Sequence, residues 1–223
     1  MTRTVAVLLA AGAGTRLGLG PKALLPFRGT TLVAHAATQL LRGGCSEVFV
    51  VVGAGAAQVG ATPLPPGCRI VENPRWEEGM STSFAAGIAA AGEGVGESPG
   101  EGTGGGRVLV ALVDQPGMNF GLIEILLALH RPGRITAAGY RSPYGVENAG
   151  VAGPGTLRRG NPVVFSADHA SAAAALAEGD SGARSYLAAH PALIDLVDFS
   201  PYTDGADIDT PADLRLLEQK VPD

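Results

Sequence analysis

The sequence predicts an α/β domain built on a mostly parallel central sheet. Short β-rich apolar runs alternate with longer helical stretches along the chain. Two of the runs, Val48-Phe49-Val50-Val51-Val52 and Val108-Leu109-Val110-Ala111-Leu112-Val113, are apolar at every position. Such strands are buried on both faces, as happens when helices cover a parallel sheet from either side. The 223 residues, 46% of them hydrophobic, are enough for a single domain with one sizeable core.

Taken in order, strands are expected at 4–10, 47–53, 68–71, 107–113 and 135–139. Between them, helices are expected at 31–42, 81–91 and 120–130. In the first helix Leu32, His35, Ala36, Gln39 and Leu40 fall on one largely apolar face. Residues 92–106 contain eight glycines among Glu, Ser, Pro and Thr, and read as a flexible surface insertion. After Tyr140 the chain changes character. Residues 141–159 are loop-rich, 161–165 form a short strand, 168–179 and 181–189 are alanine-rich helices, and 193–198 is a late strand. Thr210-Pro211-Ala212-Asp213 supplies an N-cap hydroxyl, a proline at the first helical position and an early carboxylate, so a last helix is expected at 211–220.

Charge and composition exclude several classes of function. The net charge is −5 and the longest basic run is Arg158-Arg159, so no nucleic-acid footprint is expected. No apolar stretch approaches the ~20 residues that span a bilayer. Cys45 and Cys68 make neither a disulfide framework nor a metal spacing and read as small buried hydrophobes. Residues 5–11 look like a short signal-peptide core, but the run is at the short limit and continues directly into Gly12-Ala13-Gly14-Thr15-Arg16. A cytoplasmic protein is expected.

Four segments carry chemistry. Leu9-Ala10-Ala11-Gly12-Ala13-Gly14-Thr15-Arg16-Leu17-Gly18, followed by Lys22, comes directly after the first strand, at the edge where α/β sheets bind ligands. Glycines there let backbone N–H groups approach phosphate oxygens, and Arg16 with Lys22 adds positive charge. The spacing is that of neither the dinucleotide loop nor the P-loop, and a plain glycine-rich turn is the competing reading. Asp114-Gln115-Pro116 ends the strand at 107–113, where a hard carboxylate suits Mg²⁺ beside phosphate, although a strand-end turn residue reads the same way. In Asp207-Ile208-Asp209-Thr210-Pro211 two carboxylates at alternate positions could share that metal, or could simply favour the helix N-terminus. In the segment 72–87, Gly79, Ser81, Thr82 and Ser83 open a helix where donors converge on a polar ligand. Ser81 would serve equally as an N-cap, and Trp76 reads as a packing anchor.

These segments, together with Gly160-Asn161-Pro162-Val163-Val164-Phe165 and Gly179-Asp180-Ser181-Gly182-Ala183-Arg184, resemble the MobA-like nucleotidyltransferases, and within them most closely the molybdenum cofactor cytidylyltransferases. The resemblance covers most of the chain, with six motifs in register. It implies a three-layer Rossmann-like nucleotidyltransferase fold, with 1–223 as a single domain. It also implies transfer of a nucleoside monophosphate from an NTP to a phosphorylated small molecule, with Mg²⁺ as cofactor and pyrophosphate released. By position, Ala10, Ala11, Gly12, Ala13, Gly14 and Thr15 would hold the NTP phosphates, with Gly79, Ser81 and Ser83 near base and ribose. Arg16, Lys22 and Asp114 would be catalytic, Asp114 and Asp209 would hold Mg²⁺, and Gly160, Asn161, Pro162, Asp180 and Arg184 would face the acceptor. Ala11, where guanylyltransferases of the family tend to have glycine, favours CTP over GTP. The acceptor implied is molybdopterin, with a cofactor-receiving enzyme as a further partner. Gly14-Thr15-Arg16 looks instead like sugar-phosphate and isoprenoid-precursor nucleotidyltransferases, so a sugar 1-phosphate acceptor stays open. A nucleotide-binding delivery protein without turnover is the remaining alternative.

Overall fold

The computed structural model describes residues 2–94, 106–141 and 156–218. The first half runs β1 (Thr4–Leu9), a two-residue hairpin β2 (Pro26–Phe27) and β3 (Thr30–Thr31), α1 (Leu32–Arg42), β4 (Glu47–Val52), α2 (Ala56–Gly60), β5 (Cys68–Glu72) and α3 (Met80–Gly94). The second half continues with β6 (Arg107–Leu112), α4 (Phe120–Leu129), β7 (Ile135–Arg141), β8 (Leu157–Ser166), α5 (Ala167–Ala175), α6 (Arg184–Ala189) and β9 (Ile194–Asp198).

Seven strands form one sheet in the order β5-β4-β1-β6-β8-β7-β9. Every pairing is parallel except those of β8, which runs against both β6 and β7. The sheet is thus mostly parallel, with helices on both faces, and the fold is the three-layer Rossmann-like arrangement expected.

The unbroken apolar runs do what their composition demands. Along β1, Ala6 and Leu8 enter the core layer that also holds Leu32, Leu40 and Ile123, whereas Val5, Val7 and Leu9 enter the opposite layer with Phe84, Phe165 and Leu187. β4 and β6 divide in the same way, because successive side chains of a strand point to opposite faces. Gly87 lets α3 lie flat on this sheet, since a Cβ there would run into Val7 and Val51.

Local signals set most element ends. Thr31 caps α1 by accepting from the Ala34 N–H at 3.4 Å, and Asn119 caps α4 by accepting from Leu122 at 3.0 Å. Four expectations need correction. The strand at 161–165 is longer, Leu157–Ser166, because its start pairs with the end of β7, Leu157 to Arg159 against Arg141 to Gly139, and this overrides the charged and glycine-rich start of the segment. The helix at 168–179 stops at Ala175, and a separate 3-10 turn, Gly179–Ser181, precedes α6. The last helix is a 3-10 helix, Pro211–Leu217, with the Thr210–Asp213 capping box in place. Cys45 is buried in the core, whereas Cys68 on β5 is only partly covered. Most of the 92–106 insertion and of the 141–159 loop lies outside the described residues.

Candidate active site

The chain leaves β1 for β4 and β5 on one side, then crosses back to β6 on the other. In open α/β sheets ligands bind in the crevice at such a reversal. The loops that follow β1 and β6 border this crevice, and a cleft of about 450 Å³ occupies it.

The loop after β1 is anchored before it reaches the cleft. Ala10 donates its N–H to the Val51 carbonyl and Ala11 accepts from Ala54, so Ala10 is core rather than cleft wall. Gly14 adopts a left-handed conformation, φ +64°, and a Cβ on it would run into the Gly20 carbonyl. Its own carbonyl accepts from Leu17 and Gly18, so Gly14 closes the loop on itself. Ala11, Gly12, Ala13, Thr15, Arg16 and Lys22 line the cleft. A Cβ on Gly12 would meet no atom within 4 Å, so the backbone there faces free space.

Lys22 lies at the centre of the charged residues. Its Nζ donates to Asp114 Oδ2 at 2.8 Å and to Asp209 Oδ1 at 2.5 Å, and Arg16 Nη1 lies 3.7 Å from Asp209 Oδ2. Burial pulls the ammonium toward neutrality, but the bonds to Asp114 and Asp209 outweigh it and raise the Lys22 pKa. The bond from Lys22 holds the Asp209 carboxyl below the usual range. A backbone bond brings the two carboxylates together across the sequence: Ile208 donates its N–H to the Asp114 carbonyl at 2.9 Å. Asp207 accepts from Gln115 Nε2 at 2.8 Å, and partial desolvation with the Asp114 charge raises its carboxyl pKa. Gln115 therefore ties the strand end to the 207–211 segment, a role that its place in the Asp-Gln-Pro motif did not reveal. Two hard carboxylates converging on one cationic position form a donor set that suits Mg²⁺ beside phosphate. Among the described residues no cluster of three His, Cys, Asp or Glu forms a fuller cage.

The block at 73–83 forms the other wall. Asn73, 4% exposed, donates to Thr82 Oγ1 at 2.9 Å and to Ser83 Oγ at 3.0 Å, which fixes the start of α3. Both Ser81 and Ser83 are buried, and of the two only Ser83 borders the cleft. Trp76 lies over Gly53, where a Cβ would collide with it, and also lines the cleft. Gly79 has φ +118° and lies against the Gly179 backbone, and Asp180 Oδ1 accepts from the Met80 N–H at 3.3 Å. Asp180 thereby joins the wall of the cleft.

The remaining residues expected to face the acceptor are divided. Gly160, Asn161 and Arg184 border a second pocket of about 240 Å³. Pro162 lies in a third, small pocket beside Tyr140 and Phe199. Gly160 is small because the Tyr140 ring occupies the space where a Cβ would stand. Leu9, Met80 and Leu112 border both the cleft and the second pocket, so the two adjoin. Met80 and Arg159 were not among the residues expected at the site; Arg159 falls in the stretch 141–159 that reads as loop-rich.

A model of the MobA-like NTP transferase domain matches residues 6–193. The chain belongs to the MobA-like NTP transferase family. The nicotine blue oxidoreductase of Paenarthrobacter nicotinovorans is 47% identical over 204 residues, covering 92% of this chain and 91% of that protein. Among solved structures, a nucleotidyl transferase from Methanothermobacter thermautotrophicus superimposes with a TM-score of 0.74 at 23% identity, covering 97% of this chain and 96% of that one. The Mycobacterium tuberculosis protein Rv0371c in complex with manganese gives 0.68 at 22% identity, covering 97% and 98%. Family and fold together place this MobA-like chain with the nucleotidyltransferases. No described helix is long and apolar enough to cross a membrane.

Proposed function

We propose that the protein transfers CMP from CTP to the phosphate of a small-molecule acceptor. An acceptor phosphate oxygen attacks the α-phosphorus, the bond from that phosphorus to the bridging oxygen breaks, and pyrophosphate leaves with the electron pair. The observation that carries this reading is Lys22, held between Asp114 and Asp209 with Arg16 beside it, on the floor of a cleft rimmed by the Gly12 backbone.

Each part has a physical task. The backbone at 11–15 and the cations Arg16 and Lys22 receive the triphosphate and offset the charge that grows on the leaving pyrophosphate. Asp114 and Asp209 fit Mg²⁺, which when bound supplies charge neutralisation at the phosphates. Phosphoryl-type transfer depends mainly on positioning and electrostatics, and an acceptor phosphate is already ionised at neutral pH, so no strong general base is needed. Ala11 supports cytosine as the base, and the resemblance suggests molybdopterin as acceptor, with handover to a cofactor-receiving enzyme in the cytoplasm. Pyrophosphate release, measured with each NTP against molybdopterin and sugar 1-phosphates, tests the reading. Full activity in Asp114→Ala refutes the metal assignment.

A second reading is favoured by the 47% identity to a protein named for the oxidation or reduction of nicotine blue. On this frame the phosphate loop would hold the pyrophosphate of a nicotinamide dinucleotide. Oxidation of the reduced dinucleotide in the presence of nicotine blue, without pyrophosphate release from any NTP, would establish it.

A further inference from the structure

The second pocket has two kinds of wall. Leu9, Phe84, Leu112, Val163, Phe165 and Leu187 make an apolar floor, with the Phe84 and Phe165 ring centroids 6.3 Å apart and tilted by 57°. Two guanidiniums, Arg159 at the start of β8 and Arg184 at the start of α6, border the same space. Neither forms a hydrogen bond or an ion pair among the described residues, in contrast to Arg131, Arg134 and Arg141, each held by a carboxylate. Arg159 is half-buried, and burial together with the neighbouring Arg184 charge lowers its pKa. Two like charges on one wall, one of them partly desolvated and neither paired among the described residues, form a site suited to an anion.

Uncharged polar side chains are scarce in the pocket. Ser181 Oγ already donates to the Glu178 carbonyl at 2.6 Å, which leaves the Asn161 amide as the one uncommitted side chain of this kind among the described residues. A polyhydroxylated sugar or a pterin edge buried here would lose several hydrogen bonds to water and regain few, at ~1–3 kcal/mol for each group left unpaired. At about 240 Å³ the pocket is also smaller than sites for drug-sized ligands, ~300–1,000 Å³.

We propose that this pocket binds a small aryl anion, its ring against the Phe84 and Phe165 wall and its anionic group between Arg159 and Arg184. The proposal deepens the reading above, because the pocket adjoins the nucleotide cleft through Leu9, Met80 and Leu112 and is the place for an acceptor. It departs from that reading by replacing the pterin with a ring that carries fewer polar groups.

The test is a calorimetric titration of the whole protein without nucleotide, so that its outcome does not depend on any transferase assay. The probes are 2-naphthyl phosphate, pterin-6-carboxylate and glucose 1-phosphate. The naphthyl anion binds at least tenfold more tightly than either of the others, and Arg159→Gln with Arg184→Gln weakens it at least tenfold while the melting temperature holds. Equal or tighter binding of the pterin or the sugar phosphate overturns the proposal. So does unchanged naphthyl phosphate affinity in the folded double variant, which would place the probe elsewhere. A failed transferase assay with intact naphthyl phosphate binding counts against the donor reading alone.

Discussion

Lys22 Nζ lies 2.8 Å from Asp114 Oδ2, across 92 residues of sequence, and this bond joins the loop after the first strand to the end of the strand beside it. The partners of Lys22 are the two carboxylates that suit a divalent cation, so the lysine and a bound cation would share one set of oxygens. Lys22→Met removes the cation that would meet the phosphates. Loss of such an electrostatic group costs ~10²–10³ in turnover, so kcat is expected to fall by about that factor. Steady-state pyrophosphate release checks it, and wild-type turnover in the variant would remove Lys22 from the mechanism.

The same group gives a pH signature in the protein free of nucleotide. Asp209 has a depressed folded pKa, so its contribution to stability is present above the ordinary carboxylate range and fades as pH falls through the depressed value. Lys22 has a raised pKa, so its share persists up to the ordinary lysine value of 10.5 and is lost as pH rises beyond that, through the folded value. Asp209→Asn is therefore destabilising in urea at neutral pH and close to neutral in effect once the carboxylate is protonated. An equal penalty at both pH values would contradict this assignment of the ion pair.

His130 gives a second acid-sensitive contribution, remote from the cleft. The ring is 8% exposed, Nδ1 is paired with Thr136 Oγ1 at 2.9 Å, and Nε2 has no partner among the described residues. Burial, with the Arg107 charge, lowers its pKa from 6.5 to about 4. The folded value is below the unfolded one, so stability is full above the ordinary histidine value and declines as pH falls toward about 4. With ~1.4 kcal/mol per pKa unit, the decline is ~2–4 kcal/mol. His130→Phe is expected to flatten this part of the profile, as measured by urea unfolding between neutral pH and about pH 4.5.

Two glycines that look alike in the sequence separate in the structure. Gly12 faces open space, so Gly12→Ala leaves the melting temperature unchanged and raises the KM for nucleotide several-fold. Gly160 is packed against Tyr140, with ring atoms at 2.6 and 2.8 Å from where a Cβ would stand. Gly160→Ala lowers stability by ~1–3 kcal/mol through overpacking. Thermal melts beside nucleotide titrations separate the two effects, and a Gly12→Ala variant that melts early would make that glycine structural.

Much of this arrangement was readable in the chain. The strands at 4–9, 47–52 and 107–112 announce themselves because they sit mid-sheet, where both faces must be apolar. Asp114 is nameable because it follows the end of the strand at 107–112, whereas Lys22 and Asp209 lie outside the strands and are named by the motifs they sit in. The spacing of Asp207 and Asp209 leaves open whether one or both meet a metal; Gln115 engages Asp207 and Lys22 engages Asp209, a tertiary choice that local spacing does not encode. The start of β8 is not legible because Arg158, Arg159 and Gly160 carry loop chemistry, while the strand there is imposed by β7 alone. α2 and the β2–β3 hairpin are too short to show a period.

The reversed direction of β8 has a consequence for how the site can change. A parallel neighbour of β6 would present its end at the cleft edge; β8 presents its start, and so brings Arg159, Gly160 and Asn161 beside residues contributed by the far end of β1. The cleft then takes its lining largely from the first half of the chain, and the second pocket draws Arg159, Asn161 and Arg184 from the second half. Substitutions at the start of one strand and in the turn before α6 can therefore exchange one small molecule for another while the phosphate loop stays intact. Such a division lets a single frame serve enzymes with different substrates.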